Sequence, residues 1–85
     1  MDSELRLDGN AVAGLLSEVF SVEATAALAR CGSCGAEGAL GEVQVYAHAP
    51  GVVLRCPACT GVLMRFARIR GRLVADLHGV GRLML

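Results

Sequence analysis

Two Cys-x2-Cys pairs, Cys31/Cys34 and Cys56/Cys59, separated by 21 residues, constrain this 85-residue chain more than any other feature. Two residues between cysteines let a tight turn aim both sulfurs at one point, so each pair supplies half of a tetrahedron around a cation. The spacing between the pairs is a little more than the roughly 15–20 residues usual in such sites, and one β-hairpin absorbs the difference. The flanks also repeat, since Arg30-Cys31-Gly32-Ser33-Cys34 parallels Arg55-Cys56-Pro57-Ala58-Cys59 as two copies of one turn. The expectation is one Zn²⁺ held by Cys31, Cys34, Cys56 and Cys59.

The detail of the turns sharpens that expectation. Amide groups just beyond the first cysteine of each pair point at its sulfur and stabilise thiolate charge. Gly35 follows the first pair, where a left-handed conformation is usual and glycine adopts it without strain. Thr60 stands at the equivalent place after the second pair, with Gly61 one residue later, so the shape of the second turn is open. Four thiolates around Zn²⁺ leave a net charge of about −2. Arg30 and Arg55, each directly before a first ligand, are placed to offset it or simply to sit on the surface. A closed shell of four sulfurs has no open position for water or substrate, so the ion would serve folding rather than catalysis.

Four cysteines have three other common uses. Thioredoxin-like chemistry needs a Cys-x2-Cys between a strand and a helix, which neither pair offers. Disulfides are disfavoured in a reducing compartment. A rubredoxin-type iron site uses the same four-sulfur geometry and is the serious rival, although such sites are usually packed with aromatics. Here Phe20, Phe66 and Tyr46 are the only aromatic residues besides histidine.

A metal staple also answers a size problem. The chain is 54% apolar, which excludes compositional disorder, but the apolar set is mostly Ala, Val and Leu. Small side chains bury little area each, so a core of this length is marginal by itself. The N-terminal Met-Asp-Ser-Glu-Leu-Arg has no basic region followed by an apolar stretch, and the apolar segment over 10–30 is interrupted by Glu18 and Glu23. Neither secretion nor a membrane span is expected, and a cytoplasmic location follows as the default.

Along the chain, a polar first ten residues precede a helix over about 10–29, capped by Asp8 or Asn10. Its apolar face is Val12, Leu15, Leu16, Val19, Val22 and Ala26, spaced three and four apart, with Glu18 and Glu23 outside that face. Alternation over Glu42–Ala47 predicts a strand, His48–Gly51 a turn, and Val52–Arg55 the returning strand. Val62–Ile69 and Leu73–Leu77 predict a second hairpin turned near Arg70-Gly71-Arg72. The apolar tail, 79–85, is placed to cover a sheet edge. The expected fold class is therefore α+β: a small, metal-stapled single domain over 1–85, with an N-terminal helix and a two-hairpin zinc ribbon over about 31–78.

On these residues the chain resembles the zinc-ribbon, or rubredoxin-like, class, with residues 31–77 covering it. From Leu-Asp-Gly-Asn-Ala at 7–11 through the Cys-Pro-x-Cys turn, the whole chain also looks like a family of small uncharacterised actinobacterial proteins. That resemblance implies a short helix ahead of the ribbon and says nothing further about function.

Little else carries chemistry. His48 reads as an exposed turn residue. His78 and Asp76 can face the same side of a strand, with no nucleophile beside them. Ser3, Ser17, Ser21 and Ser33 lack nucleophile motifs and no glycine-rich phosphate loop is present. The reading is thus not an enzyme and has no small-molecule substrate. Charge supplies the remaining signal: residues 1–49 sum to about −5 and residues 50–85 to about +5. All eight basic residues are Arg, which a GC-rich genome explains as well as function does. Arg65, Arg68, Arg70 and Arg72 line the second hairpin, and alternation gathers Arg68, Arg70 and Arg72 for an anionic partner.

Three functions are carried forward. The first is a non-catalytic zinc-binding adaptor or accessory subunit, which binds another protein or a second copy of itself. The second is nucleic-acid association through Arg65, Arg68, Arg70 and Arg72, against which stand the zero net charge and the lack of an aromatic platform. The third is a rubredoxin-like iron electron carrier, or an accessory to an oxidoreductase.

Overall fold

Period-two burial organises most of the chain, because strands supply most of its regular structure. The computed structural model describes residues 6–20, 23–48 and 51–85. In chain order these form β1 (Arg6–Asp8), a 3-10 turn (Gly9–Val12), α1 (Ala13–Phe20), β2 (Leu28–Cys31) and β3 (Glu37–Ala39). A second 3-10 turn (Leu40–Glu42) leads to β4 (Gln44–His48), β5 (Gly51–Arg55), β6 (Val62–Ile69), β7 (Arg72–Asp76) and β8 (Val80–Met84). The strands make two antiparallel sheets, one ordered β1-β4-β5-β6-β7 and one ordered β3-β2-β8. This is a small α+β fold with one α-helix among the described residues.

Register explains the core. Val45 lies opposite Leu54, Leu54 opposite Met64, and Val52 opposite Phe66, so these side chains share one face of the larger sheet. Leu16 from α1 and Leu40 from the second 3-10 turn join them, and all of these except Val52 are essentially sealed from solvent. Val12, Leu15 and Val19, members with Leu16 of the apolar face read from the sequence, pack against that cluster along with Phe20, whereas Ala26 of that face is exposed, as are Glu18 and Glu23. Val22 lies outside the described residues.

The helix is much shorter than expected. It begins at Ala13 rather than near residue 10, because Asp8 lies in β1 and Asn10 in the 3-10 turn. Its last described residue is Phe20, residues 23–27 lie outside any helix, and Leu28–Cys31 is a strand. The Ala-rich stretch suits a helix by propensity, but here small side chains serve close packing instead. Ala24, Ala27 and Ala29 are buried, and the backbones of Thr25 and Ala27 accept from the amides of Gly41 and Leu40 at 2.8 and 2.9 Å. From Ala27 to Cys31 burial alternates strictly, with the large Leu28 outside and small residues inside. Alternation by size rather than polarity is invisible to a hydropathy reading.

The hairpins stand close to where the sequence puts them, with Val62–Ile69 the same to the residue. His48 pairs with Gly51 across a turn whose centre, 49–50, lies outside the described residues. The second hairpin turns on Arg70 and Gly71, whose φ values of 53° and 77° make the two-residue type I′ loop that suits strand twist. Three further strands have no counterpart in the sequence expectations. β3 pairs with β2 through Leu28↔Ala39 to Arg30↔Glu37. Arg6–Asp8 extends the larger sheet as β1, and the tail does more than cover an edge: as β8 it pairs with β2 through Leu28↔Met84 to Cys31↔Val80.

Candidate metal centre

The two cysteine turns are built alike, bond for bond. In the first, the Gly35 amide donates to the Cys31 carbonyl at 3.0 Å and the Cys31 amide to the Ala36 carbonyl at 2.8 Å. In the second, the Thr60 amide donates to the Cys56 carbonyl at 2.7 Å and the Cys56 amide to the Gly61 carbonyl at 2.9 Å. Each sulfur then receives the amide two residues on: Ser33 to Cys31 Sγ, Ala36 to Cys34 Sγ, Ala58 to Cys56 Sγ and Gly61 to Cys59 Sγ, at 3.3–3.4 Å. Thr60 resolves the open question about the second turn. At φ 64° it takes the left-handed conformation that Gly35 takes at φ 80°. The two turns therefore have the same shape despite different residues.

Position in the fold brings the turns together. The first joins β2 to β3 in the smaller sheet, and the second joins β5 to β6 in the larger one. Gly79 is the hinge pin between them: its carbonyl accepts from the Gly32 amide at 2.8 Å while its own amide donates to the Leu63 carbonyl at 3.1 Å. A Cβ at this position would lie 1.8 Å from the Val62 carbonyl oxygen, so only glycine fits. The trace of Gly79 in the sequence is slight, a Gly79-x-Gly81 spacing inside a mostly apolar tail.

Together the four sulfurs lie within 4.8 Å of one another, with Cys31–Cys59 and Cys34–Cys56 each at 3.7 Å. A tetrahedron with metal–sulfur bonds of about 2.3 Å has edges of about 3.8 Å, so the cluster has the dimensions of a four-thiolate metal site. Cys31 and Cys56 are buried, Cys34 and Cys59 exposed, so the centre sits at the protein surface with one side closed. The amides of Cys34 and Ser33 hold the Cys31 thiol below its ordinary 9.0, at about 6. Cys59 moves the other way, to about 11: the Gly61 amide pulls it down, but the Cys31 sulfur, burial and the remaining sulfurs outweigh that. Crowded sulfurs cannot all ionise unless a cation shares the site. The donor set thus fits a metal ion.

Arg55 belongs to this architecture. Its Nη1 donates to the Thr60 carbonyl at 2.8 Å, and its guanidinium stands 5.7 Å from the centre of the Tyr46 ring. Arg30 faces Glu37 on one neighbouring strand and Arg82 on the other, a like-charged pair beside the first turn that the sequence did not suggest. Beside Cys31 and Cys56 lies a hollow of about 190 Å³, walled mainly by Ala29, Ala36, Ala39, Val43 and Leu63, with Glu37 and Glu42 its charged members.

The hairpin arginines do not gather as expected. Arg65 lies opposite Asp76, while Arg68 points to the inner face and binds both oxygens of Glu18 through Nη2 at 2.6 and 2.7 Å. Arg72 lies opposite Ile69 on the outer face, and Arg70 occupies the turn. The type I′ loop breaks the alternation that would have aligned residues 68, 70 and 72. His78 follows β7 rather than ending it, and its amide donates to Asp76 Oδ1 at 2.9 Å, so that pair caps a strand end. No helix among the described residues is long and apolar enough to cross a membrane.

No curated protein and no solved structure matches this chain. A family model does match, over residues 1–85, and the chain belongs to the family it describes, the family of unknown function DUF6510.

Proposed function

We propose that this chain is a non-catalytic zinc ribbon, in which one structural Zn²⁺ bound by Cys31, Cys34, Cys56 and Cys59 holds a small fold that acts by binding another protein chain. The observation that carries the reading is the matched pair of turns, each delivering two sulfurs that already accept backbone amides at 3.3–3.4 Å. A shell closed by four thiolates leaves no coordination position for a substrate, and the energy of binding becomes energy of folding. The aliphatic walls around the sulfurs support zinc over iron, since Ala, Val and Leu give none of the aromatic packing typical of iron–thiolate electron carriers. Binding of a partner is supported by Ile69, Val74, Leu77 and Leu85, large apolar side chains left 39–71% exposed. A nucleic-acid interface draws less support, with Arg68 tied to Glu18 and Arg65 facing Asp76.

Elemental analysis of protein purified without added metal tests the proposal. One zinc per chain in a colourless sample is expected. Visible absorption with stoichiometric iron would transfer the site to the electron-carrier reading, and metal-free folded protein would end both.

A further inference from the structure

We propose that two copies of this chain pair edge to edge through β7, antiparallel and centred on Val74, to make one continuous sheet. The inference rests on the reading of the chain as a binding module and names a second copy as its partner.

Among the described residues β7 is an open edge of the five-stranded sheet. In a hairpin closed by a two-residue turn, the residues flanking the turn form a hydrogen-bonded pair, here Ile69 and Arg72. By alternation Arg72, Val74 and Asp76 direct their peptide groups toward β6, whereas Leu73 and Ala75 direct theirs outward. An antiparallel partner strand centred on Val74 sets Leu73 opposite the second copy's Ala75, and the outward N–H and C=O groups of both meet in register.

The side chains select that register. Arg72-Leu73-Val74-Ala75-Asp76 carries opposite charges at its two ends, so a two-fold axis through Val74 places each Arg72 opposite an Asp76. Both belong to the non-hydrogen-bonded positions, where opposing side chains approach most closely. The two Val74 side chains, each 47% exposed in the single chain, become neighbours. Moving the centre to Leu73 or Ala75 sets Arg72 against Val74 or His78 and loses both ion pairs. Other edges lack this complementarity: β1 and β3 are three residues long, and β8 carries one charge, Arg82. Charges on an edge strand blunt pairing with unrelated strands, and on β7 they leave one pairing favourable.

Sedimentation of the metal-loaded full chain across micromolar to millimolar concentrations is the test, with elemental analysis of every sample. A reversible monomer–dimer equilibrium is expected. Arg72→Asp and Asp76→Arg should each weaken it by about tenfold or more, since each replaces two attractive pairs with two repulsive ones. An equimolar mixture of the two variants should recover a heterodimer, in which every 72–76 contact is again Asp with Arg. Ala75→Pro removes an outward N–H while sparing the ladder to β6, and should give a folded, metal-bearing monomer. A wild-type chain that stays monomeric throughout overturns the proposal, as does a dimer indifferent to the charge substitutions or a mixture that fails to associate. Loss of metal stoichiometry would count against the zinc reading alone, because sedimentation reports the pairing separately.

Discussion

Gly35 and Thr60 occupy equivalent places in two turns of one shape, yet they meet the left-handed backbone at different cost. An L-residue there is disfavoured by about 1–2 kcal/mol, most of all when β-branched, while glycine loses more chain entropy on folding. Thr60→Gly should therefore stabilise the metal-loaded protein by about 0.5 kcal/mol, and Gly35→Ala should destabilise it by about 1 kcal/mol, both read from urea midpoints. Gly79→Ala is a harsher change, since the new methyl would meet backbone 1.8 Å away; a loss of about 3 kcal/mol is expected, with weakened metal retention in a chelator competition. The thiols set a pH dependence. Cys31 is depressed in the folded state to about 6 from 9.0, so its contribution is complete above pH 9 and is lost as pH falls through about 6. Cys59, raised to about 11, has the opposite sign in the metal-free fold: its contribution is present below pH 9 and is lost as pH rises through about 11. Acidification from neutral pH should release the ion into a chromophoric chelator, because protons compete with the metal for all four thiolates.

At the scale of elements, α1 is held by burial and not by its ion pair. Leu16 is sealed among Leu40, Leu54 and Phe66, and Leu16→Ala should cost about 2–5 kcal/mol. The Glu18–Arg68 bridge is half exposed at both ends, so Glu18→Gln should cost less than about 1 kcal/mol and less still in high salt. Chemical denaturation of both variants with metal present would show that ranking. The elements also separate what sequence makes legible from what it does not. Val62–Ile69 and its turn at Arg70–Gly71 announce themselves, because an alternating run meets a residue pair suited to a type I′ loop. β2 does not, because in Ala27–Cys31 the buried residues are the small ones, and an Ala-rich stretch otherwise favours helix. β1 and β8 take their conformation from neighbours that lie far away along the chain, Leu7 from Val45 and Leu83 from Ala29.

For the whole molecule the decisive contact is the one between sheets. The larger sheet has a core led by Phe66, while the smaller sheet is buried largely through alanines and cysteine, which contribute little area. A structural zinc contributes on the order of 10–16 kcal/mol at neutral pH, comparable to or above the total stability of a small domain. Removal of the metal with a strong chelator should therefore collapse the dispersed amide spectrum of residues in β2, β3 and β8 first, and readdition of one equivalent of zinc should restore it. A spectrum unchanged by chelation would show that the sheets hold each other without the ion.

Local chemistry determined the four cysteines, their turns and the hairpin between them, because two residues between sulfurs and a run of alternating strand residues each specify geometry within a few positions. Only the tertiary structure decided that the Ala-rich segment leaves the helix for a strand, that Gly79 pins one turn against the other, and that Arg68 and Arg72 part to opposite faces. Those outcomes depend on which backbones come within contact distance across the fold, and the close approach of distant chain segments has no signature in the residues of either segment alone.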